Sequence, residues 1–292
     1  MNKKYGTVVI TGKPNVGKST LINALAKREV AIISKKPQTT RNQINYIYQD
    51  DKEEIAFIDT PGFHFPRNKL DDYLNLQIKN SYKYANIALL IIDVTREIND
   101  EDLEIIKMIK NFGVNNVILV FNKIDSIKKF NIESYKDKIN KLIKTNDQIE
   151  ISALKETNIN LLIDTISKYL TSDPLVIKET NSDNFIISEI IREQIIKNLY
   201  QELPYASFVC IREKKYDQKT NVFEIYADIV VEKDSQKPIV IGHRGSMIKK
   251  IGTNARMKLN NFYDCKIVLH LYVVIKKDWR DNESILKDGG YI

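Results

Sequence analysis

Gly12-Lys13-Pro14-Asn15-Val16-Gly17-Lys18-Ser19 stands between an apolar, β-branched run, Lys4 to Thr11 (KYGTVVIT), and a stretch with helical spacing, Ser19 to Lys27 (STLINALAK). The run reads as a short buried strand. G-x-x-x-x-G-K-S between a strand and a helix is the setting in which a loop cradles phosphates. Its glycines tolerate close backbone approach. The N–H groups of Val16 to Thr20 are therefore expected to converge on an anion at a helix N-terminus. Lys18 is expected to reach β- and γ-phosphate oxygens, and the Ser19 hydroxyl to ligate Mg2+. Gly12, Lys13, Pro14, Asn15 and Thr20 complete the expected contacts. The bland alternative is a glycine turn before an ordinary helix. Lys-Ser at the required spacing argues against it.

Three later motifs select the nucleotide. Asn122-Lys123-Ile124-Asp125 follows the apolar strand Val117 to Phe121. A carboxylate at Asp125 accepts two hydrogen bonds from guanine, N1–H and the N2 amino group. Facing adenine it would be a buried charge without donors, a cost of several kcal/mol. Asn122 is expected to touch the base at N7 and to tie its loop to the phosphate loop. Lys123 is expected to lay its stem along the base. Ser152-Ala153-Leu154, after the strand Gln148 to Ile151, is expected to offer backbone N–H to guanine O6. Asp59-Thr60-Pro61-Gly62 ends the strand Glu54 to Ile58. Asp59 would hold Mg2+ through a water, and the Gly62 N–H would sense the γ-phosphate. The polar stretch Ser34 to Asn45 reads as a first switch. A threonine there should complete the Mg2+ shell, Thr40 in preference to Thr39.

Phe63 occupies the position where many GTPases carry a glutamine that orients the attacking water. An aromatic ring cannot do that. Hydrolysis is then expected to rest on Lys18, Thr40, Gly62 and Asn15, with Asn15 a candidate ligand for K+. Slow basal turnover, raised by K+ and by a bound partner, is the expectation.

The length of 292 residues fits two domains. The longest apolar run, Ile87 to Ile92, is too short to span a bilayer. Met1-Asn2-Lys3-Lys4 resembles the start of a signal peptide, but the apolar segment behind it is short and broken by Gly12. Cys210 and Cys265 lack metal or redox spacing and read as reduced core residues in strands, consistent with a cytosolic protein. From Lys4 to Leu170 strands alternate with helices at 68–84, 100–111, 134–144 and 158–170. That rhythm implies a mostly parallel, doubly wound α/β sheet with the site at the carboxyl ends of its strands. Residues 1–172 are taken as the first domain, 173–184 as a linker and 185–292 as a second domain.

The net charge of +7 is concentrated. Between Gly242 and Lys277 eight basic side chains face one acid, Asp264. A solvated helix face is the usual cause of such a run. Here, however, it surrounds Gly242-His243-Arg244-Gly245, a G-x-x-G read as lying between an apolar strand end and a basic helix carrying Lys249 and Lys250. That pattern is the loop of a KH domain, which clamps about four nucleotides of single-stranded RNA. Ile248 and Ile251 are expected to floor a groove for bases. Trp279 is read as packing against the domain rather than stacking on a base. The preceding helix (185–203) and strands (206–212 and 222–232, joined by a turn over 213–221) give the α+β type II arrangement.

The motifs GKPNVGKST (12–20), QTTRN (38–42), DTPGFH (59–64), NKID (122–125), SEIIRE (188–193), ELPY (202–205) and VIGHRGSMIKKIG (240–252) together resemble the Era family of bacterial GTPases over nearly the whole length. The resemblance implies a GTP-hydrolysing factor that binds the 3′ end region of small-subunit rRNA in the 30S particle and releases it on hydrolysis. It also implies GTP/GDP, Mg2+ and K+ as ligands, a monomer, and a cytoplasmic location with peripheral contact to the inner membrane. Two other readings stay open: an RNA-binding protein that senses GTP without turnover, and a membrane-associated cell-cycle switch.

Overall fold

The computed structural model describes residues 3–27, 44–63, 65–126, 132–175 and 182–291. Thr39, Thr40 and the rest of 28–43 lie outside this set, as does His64. Contacts divide the chain into Met1–Arg67 with Asp71–Thr180, and Asn181–Ile292 with Asn68–Leu70.

The first unit is a six-stranded sheet in the order β2-β3-β1-β4-β5-β6. Its strands are β1 (Lys4–Thr11), β2 (Ile44–Gln49), β3 (Glu53–Asp59), β4 (Ile87–Asp93), β5 (Asn116–Asn122) and β6 (Asp147–Ile151). All neighbours are parallel except β2, which runs antiparallel to β3. β4 is IALLIID and every residue of it is buried. Such continuous apolar runs mark a parallel strand covered on both faces. β2, INYIYQ, went unread in the sequence because its alternation is partial and it begins inside the polar stretch. The helices α1 (Lys18–Ala26), α2 (Lys69–Tyr82), α3 (Asp100–Asn111), α4 (Ile132–Asn140) and α5 (Ile159–Ser167) fall within about four residues of expectation, α4 ending at Asn140 rather than at 144. α3 shows why such a segment is helical. Asn99 and Asp102 form a capping box, the first turn is acidic, and Ile105, Ile106 and Ile109 form a buried stripe. β3 lies on one side of β1 and β4 on the other, so the carboxyl end of β1 is the point where the chain reverses its progress across the sheet. Ligands bind at such switch points.

The second unit is a three-stranded sheet, β7-β8-β9 (Ser207–Asp217, Val222–Val231, Lys266–Ile275). β7 and β8 are antiparallel, and β8 and β9 parallel. One face carries Val209, Ile225, Ala227, Ile229 and Val273, which pack with Ile187, Ile191 and Ile195 of α6 (Asp183–Asn198) and Ile251, Ala255 and Leu259 of α8 (Ser246–Tyr263). The spacing of four on both helices is the stripe an amphipathic helix buries. Several expectations are corrected here. α6 stops at Asn198 rather than at 203. β7 continues to Asp217, through a bulge at Ile211/Glu213, into what was read as a turn. Cys265 precedes β9 rather than lying in a strand, and both cysteines are half-buried thiols rather than core residues. Among the described residues no helix is long and apolar enough to cross a membrane.

Candidate nucleotide site and candidate nucleic-acid interface

The sequence motifs meet at the carboxyl ends of β1, β3, β5 and β6. The phosphate loop leaves β1 at Gly12 and enters α1 at Lys18, the residue after Gly17 (φ 104°). Lys18 is buried, and its ammonium donates to the carbonyls of Gly12 at 2.8 Å and Lys13 at 2.9 Å. Burial lowers its pKa to about 8, although the nearby carboxylates of Asp59 and Glu101 pull the other way. A cation so desolvated gains most when an anion arrives. The Ser19 hydroxyl donates to Asp59 Oδ2 at 3.0 Å. Thr60 follows Asp59, and its hydroxyl donates to the Ile10 carbonyl at 2.9 Å, fastening this loop to β1. Pro61 is buried, and Gly62 lies against Pro14 so closely that a Cβ on it would meet Pro14 atoms at 2.8 to 2.9 Å.

The loop is held from behind by the base-reading motif. Asn122 donates from Nδ2 to the Val16 carbonyl at 2.8 Å and accepts the Ala153 N–H on Oδ1 at 3.0 Å. Asn122 thus ties three loops together. The Ala153 N–H is engaged by it, so in this arrangement that one of the loop's donors bonds to Asn122. Lys123 (φ 70°) donates to the Asn15 carbonyl at 2.7 Å and to Asp93 Oδ2 at 2.6 Å. Asp125 stands at the mouth, where the Ser152 hydroxyl donates to its Oδ1 at 2.5 Å. Leu154 is exposed beside it.

Asp93, at the end of β4, was missed. Its side chain is buried and accepts from Lys123, from the Thr95 N–H and from the Thr95 hydroxyl. Burial raises its pKa, but these hydrogen bonds outweigh burial and hold it below the ordinary carboxylate value. The available signal was its place at the end of the most apolar strand. Lys13 also departs from expectation. Its ammonium pairs with Asp102 Oδ2 at 2.6 Å and donates to the Glu97 carbonyl at 3.0 Å, so the side chain faces α3. Phe63 is buried and packs edge-on against Phe65 with centroids 5.8 Å apart.

Ser19 and Asp59 supply one hydroxyl and one carboxylate side by side, the oxygen donors that suit Mg2+. Among the described residues no group of three or more His, Cys, Asp or Glu is placed to hold a metal. A cation at Ser19 and Asp59 would draw its other oxygen ligands from phosphate, from solvent or from residues outside the described set, such as the expected Thr40.

The second candidate interface is the G-x-x-G loop. A short helix, α7 (Lys237–Ile241), precedes it rather than the expected strand end, so the loop joins two helices. Gly245 has φ 78°, and a Cβ built on it meets nothing within 4 Å. Its backbone is open to an approaching chain. His243, Arg244, Lys249 and Lys250 are exposed around it. Ile251 is fully buried against the sheet and is not a groove floor, whereas Ile248 is only half-buried. Trp279 is fully buried, donates to the Ala206 carbonyl at 3.0 Å and lies 4.6 Å from Phe208.

The first unit is the fold and loop set of a P-loop GTPase, and the second has the element order of a type II KH domain. Family models agree: one described as 50S ribosome-binding GTPase matches residues 7–123, and one described as KH domain matches residues 202–280. The chain is 49% identical to the GTPase Era of Ureaplasma urealyticum over 296 residues, covering 100% of this chain and 99% of that one. It is 38% identical to the GTPase Era of Clostridium botulinum strain Okra over 292 residues, covering 99% and 98%. A point variant of Aquifex aeolicus Era bound to GDP·AlF4− superposes with a TM-score of 0.93 at 35% identity, over 99% of both chains. Era in complex with MgGDPNP and nucleotides 1506–1542 of 16S ribosomal RNA gives 0.92 at 35% identity, again over 99% of both. The chain belongs to the Era family of GTPases.

Proposed function

We propose that this protein hydrolyses GTP in the site at Lys18, Ser19 and Asp59, and that the nucleotide state sets how its KH domain grips the 3′ end region of small-subunit rRNA during 30S assembly. The carrying observation is Asn122, whose one side chain fastens the phosphate loop to the base-reading Ser152-Ala153-Leu154 loop. The solved Era complex with 16S RNA supports the choice of RNA. Residues 1–172 would be the GTPase domain and 185–292 the KH domain, joined by 173–184.

Lys18 would neutralise the β- and γ-phosphate oxygens. Ser19 would ligate a Mg2+ ion directly, and Asp59 would do so through a water. When bound, that ion would screen the charge on the same oxygens. Gly62, packed on Pro14, would present its N–H to the γ-phosphate, so the loop relaxes when that group leaves. Asp125 would read N1–H and the N2 amino group. Gly242 to Gly245 would take the RNA backbone, with Arg244, Lys249 and Lys250 on its phosphates and His243 at the rim.

Phe63, buried beside Phe65, leaves no side chain at its position to orient water. This supports slow basal turnover, and K+ at Asn15 would add positive charge beside the phosphates. It equally favours a second reading, a GTP sensor without turnover. Phosphate release measured with and without an rRNA 3′-end oligonucleotide, in K+ and in Na+ buffer, separates them. Turnover raised by RNA and by K+ is expected. No release under any condition leaves the sensor, and equal rates in the two cations remove the K+ role. Peripheral membrane contact is tested by flotation with anionic vesicles.

A further inference from the structure

Lys13 is the loop's other basic side chain, and its ammonium is committed away from the place where phosphates would lie. Lys13 is about as buried as Lys18, and its partner Asp102 is 1% exposed. Burying a lysine and a carboxylate together is expensive. Such a pair adds little net stability, and a use attested for it in some proteins is to set a geometry.

Three contacts say which geometry. The Lys13 carbonyl is one of the two that hold the Lys18 ammonium, at 2.9 Å. The Lys13 side chain is fixed by Asp102 Oδ2 at 2.6 Å and by the Glu97 carbonyl at 3.0 Å. Asp102 is itself fixed, because its Oδ2 also accepts the Asn99 N–H at 3.0 Å in the capping box that starts α3. Asp102 Oδ1 has no hydrogen-bond partner among the described residues, so the Lys13 ammonium is the charge that compensates this buried carboxylate. The loop's far corner is tied to the same segment: the Asn15 carbonyl is held by Lys123, which rests on Asp93. Asp93 and Asp102 flank the connection between β4 and α3. That connection therefore grips the phosphate loop at two points.

We infer that Lys13 and Asp102 are a positioning pair, which braces the carbonyls around Lys18 against the first turn of α3 and thereby slows nucleotide release. This rests on the nucleotide-site reading and changes the role of Lys13 within it, from phosphate contact to anchor. Any partner that shifts the start of α3 would act on the nucleotide through this pair.

The test uses the full chain and the release of fluorescent GDP in Mg2+, with thermal unfolding run alongside. Lys13→Met and Asp102→Asn are each expected to speed release by about tenfold, a 1.4 kcal/mol effect. The double variant should be no faster than either single one, because one interaction has been removed twice. Lys13→Arg should return the rate to within about threefold of wild type, since its fork spans the same carboxylate. Ile106→Val in the buried face of α3 is the control for lost stability, and it should keep the wild-type rate. Wild-type release from Lys13→Met, multiplicative effects in the double variant, or equal acceleration in the control overturns the pair. Should Lys13→Met not fold, Asp102→Asn and Lys13→Arg decide by the same criteria. A wild-type chain that binds no guanine nucleotide overturns the site reading and the pair with it.

Discussion

Gly17 and Asn122 interlock. A Cβ on Gly17 would lie 2.2 Å from Asn122 Nδ2, and the glycine holds φ at 104°, where an L side chain is strained. The absent side chain is what lets the asparagine reach across to the Val16 carbonyl. Gly17→Ala must therefore push Asn122 out of place. Backbone strain of about 1–2 kcal/mol adds to that displacement. GTP and GDP affinity should fall by about a hundredfold, with the second unit's unfolding unchanged. Titration with fluorescent GDP measures it, and wild-type affinity would show that the asparagine is not needed where it stands.

Asp125 is held at the mouth of the site by the Ser152 hydroxyl. Asp125→Asn replaces a charged acceptor pair with one acceptor and one donor. Guanine then loses one bond and meets a donor at its amino group, which costs about 3 kcal/mol or more. Xanthine carries a carbonyl at that place and accepts the new donor. Competition binding should show GTP weakened by about a hundredfold or more and xanthosine triphosphate preferred. Unchanged GTP binding would remove Asp125 from base recognition.

Lys18 gives a pH signature. Burial lowers its pKa to about 8 from the ordinary lysine value of 10.5. In the nucleotide-free protein the unfolded chain therefore binds more protons between those values, and stability rises as pH climbs through the window. Nucleotide binding has the opposite sign. Phosphates favour the ammonium, so binding above about pH 8 must take up a proton, and affinity should drop by up to about tenfold per pH unit from there. Calorimetry at pH 9 in two buffers of different ionisation enthalpy measures the uptake. Zero uptake at that pH means that the lysine is already charged without a ligand.

How much of this was legible in the sequence follows from the range of each interaction. The first sheet was legible because β4 is apolar from Ile87 to Ile92 and the motifs sit at strand ends. Its antiparallel edge β2 was not, because its apolar alternation is partial, even though it pairs with the strand directly after it, Tyr46 opposite Phe57 and Tyr48 opposite Ile55. The pairings of Lys13 with Asp102 and of Lys123 with Asp93 were illegible because the partners are far apart in sequence. Lys13 reads as a phosphate contact, and neither aspartate shows its partner until the fold brings the charges within 3 Å. α6 shows this most plainly. Arg192 and Glu193 are buried because Glu189 forks onto the arginine at 2.6 Å and Lys258 of α8 reaches the glutamate at 3.0 Å. The helix therefore buries charged positions that periodicity assigns to solvent.

Trp279 is the chain's one tryptophan. It is fully buried against Phe208, with its indole N–H on the Ala206 carbonyl. Trp279→Ala should cost the second unit about 3–5 kcal/mol. Trp279→Phe keeps most of the ring contact but strands that carbonyl, a loss of about 1–3 kcal/mol. Differential calorimetry should show a second-unit transition that falls in that order, with nucleotide affinity unchanged. Equal stability of all three would mean that the indole is not a packing residue.

Gly245 provides the cleanest separation of the two activities. It caps the start of α8 at φ 78°, and the space around a Cβ there is open. Aspartate is therefore strained by about 1 kcal/mol but does not clash, so the KH domain should fold. The new carboxylate would stand in the loop between Arg244 and the Lys249 and Lys250 pair, where RNA phosphates are expected. Like charge there repels the backbone, and the bulk blocks its close approach. Gly245→Asp should lose affinity for a single-stranded rRNA 3′-end oligonucleotide by about a hundredfold or more, lose RNA-stimulated phosphate release, and keep GTP affinity. Filter binding and phosphate-release assays on the full chain measure all three. Retained RNA affinity with an intact fold would move the interface away from this loop.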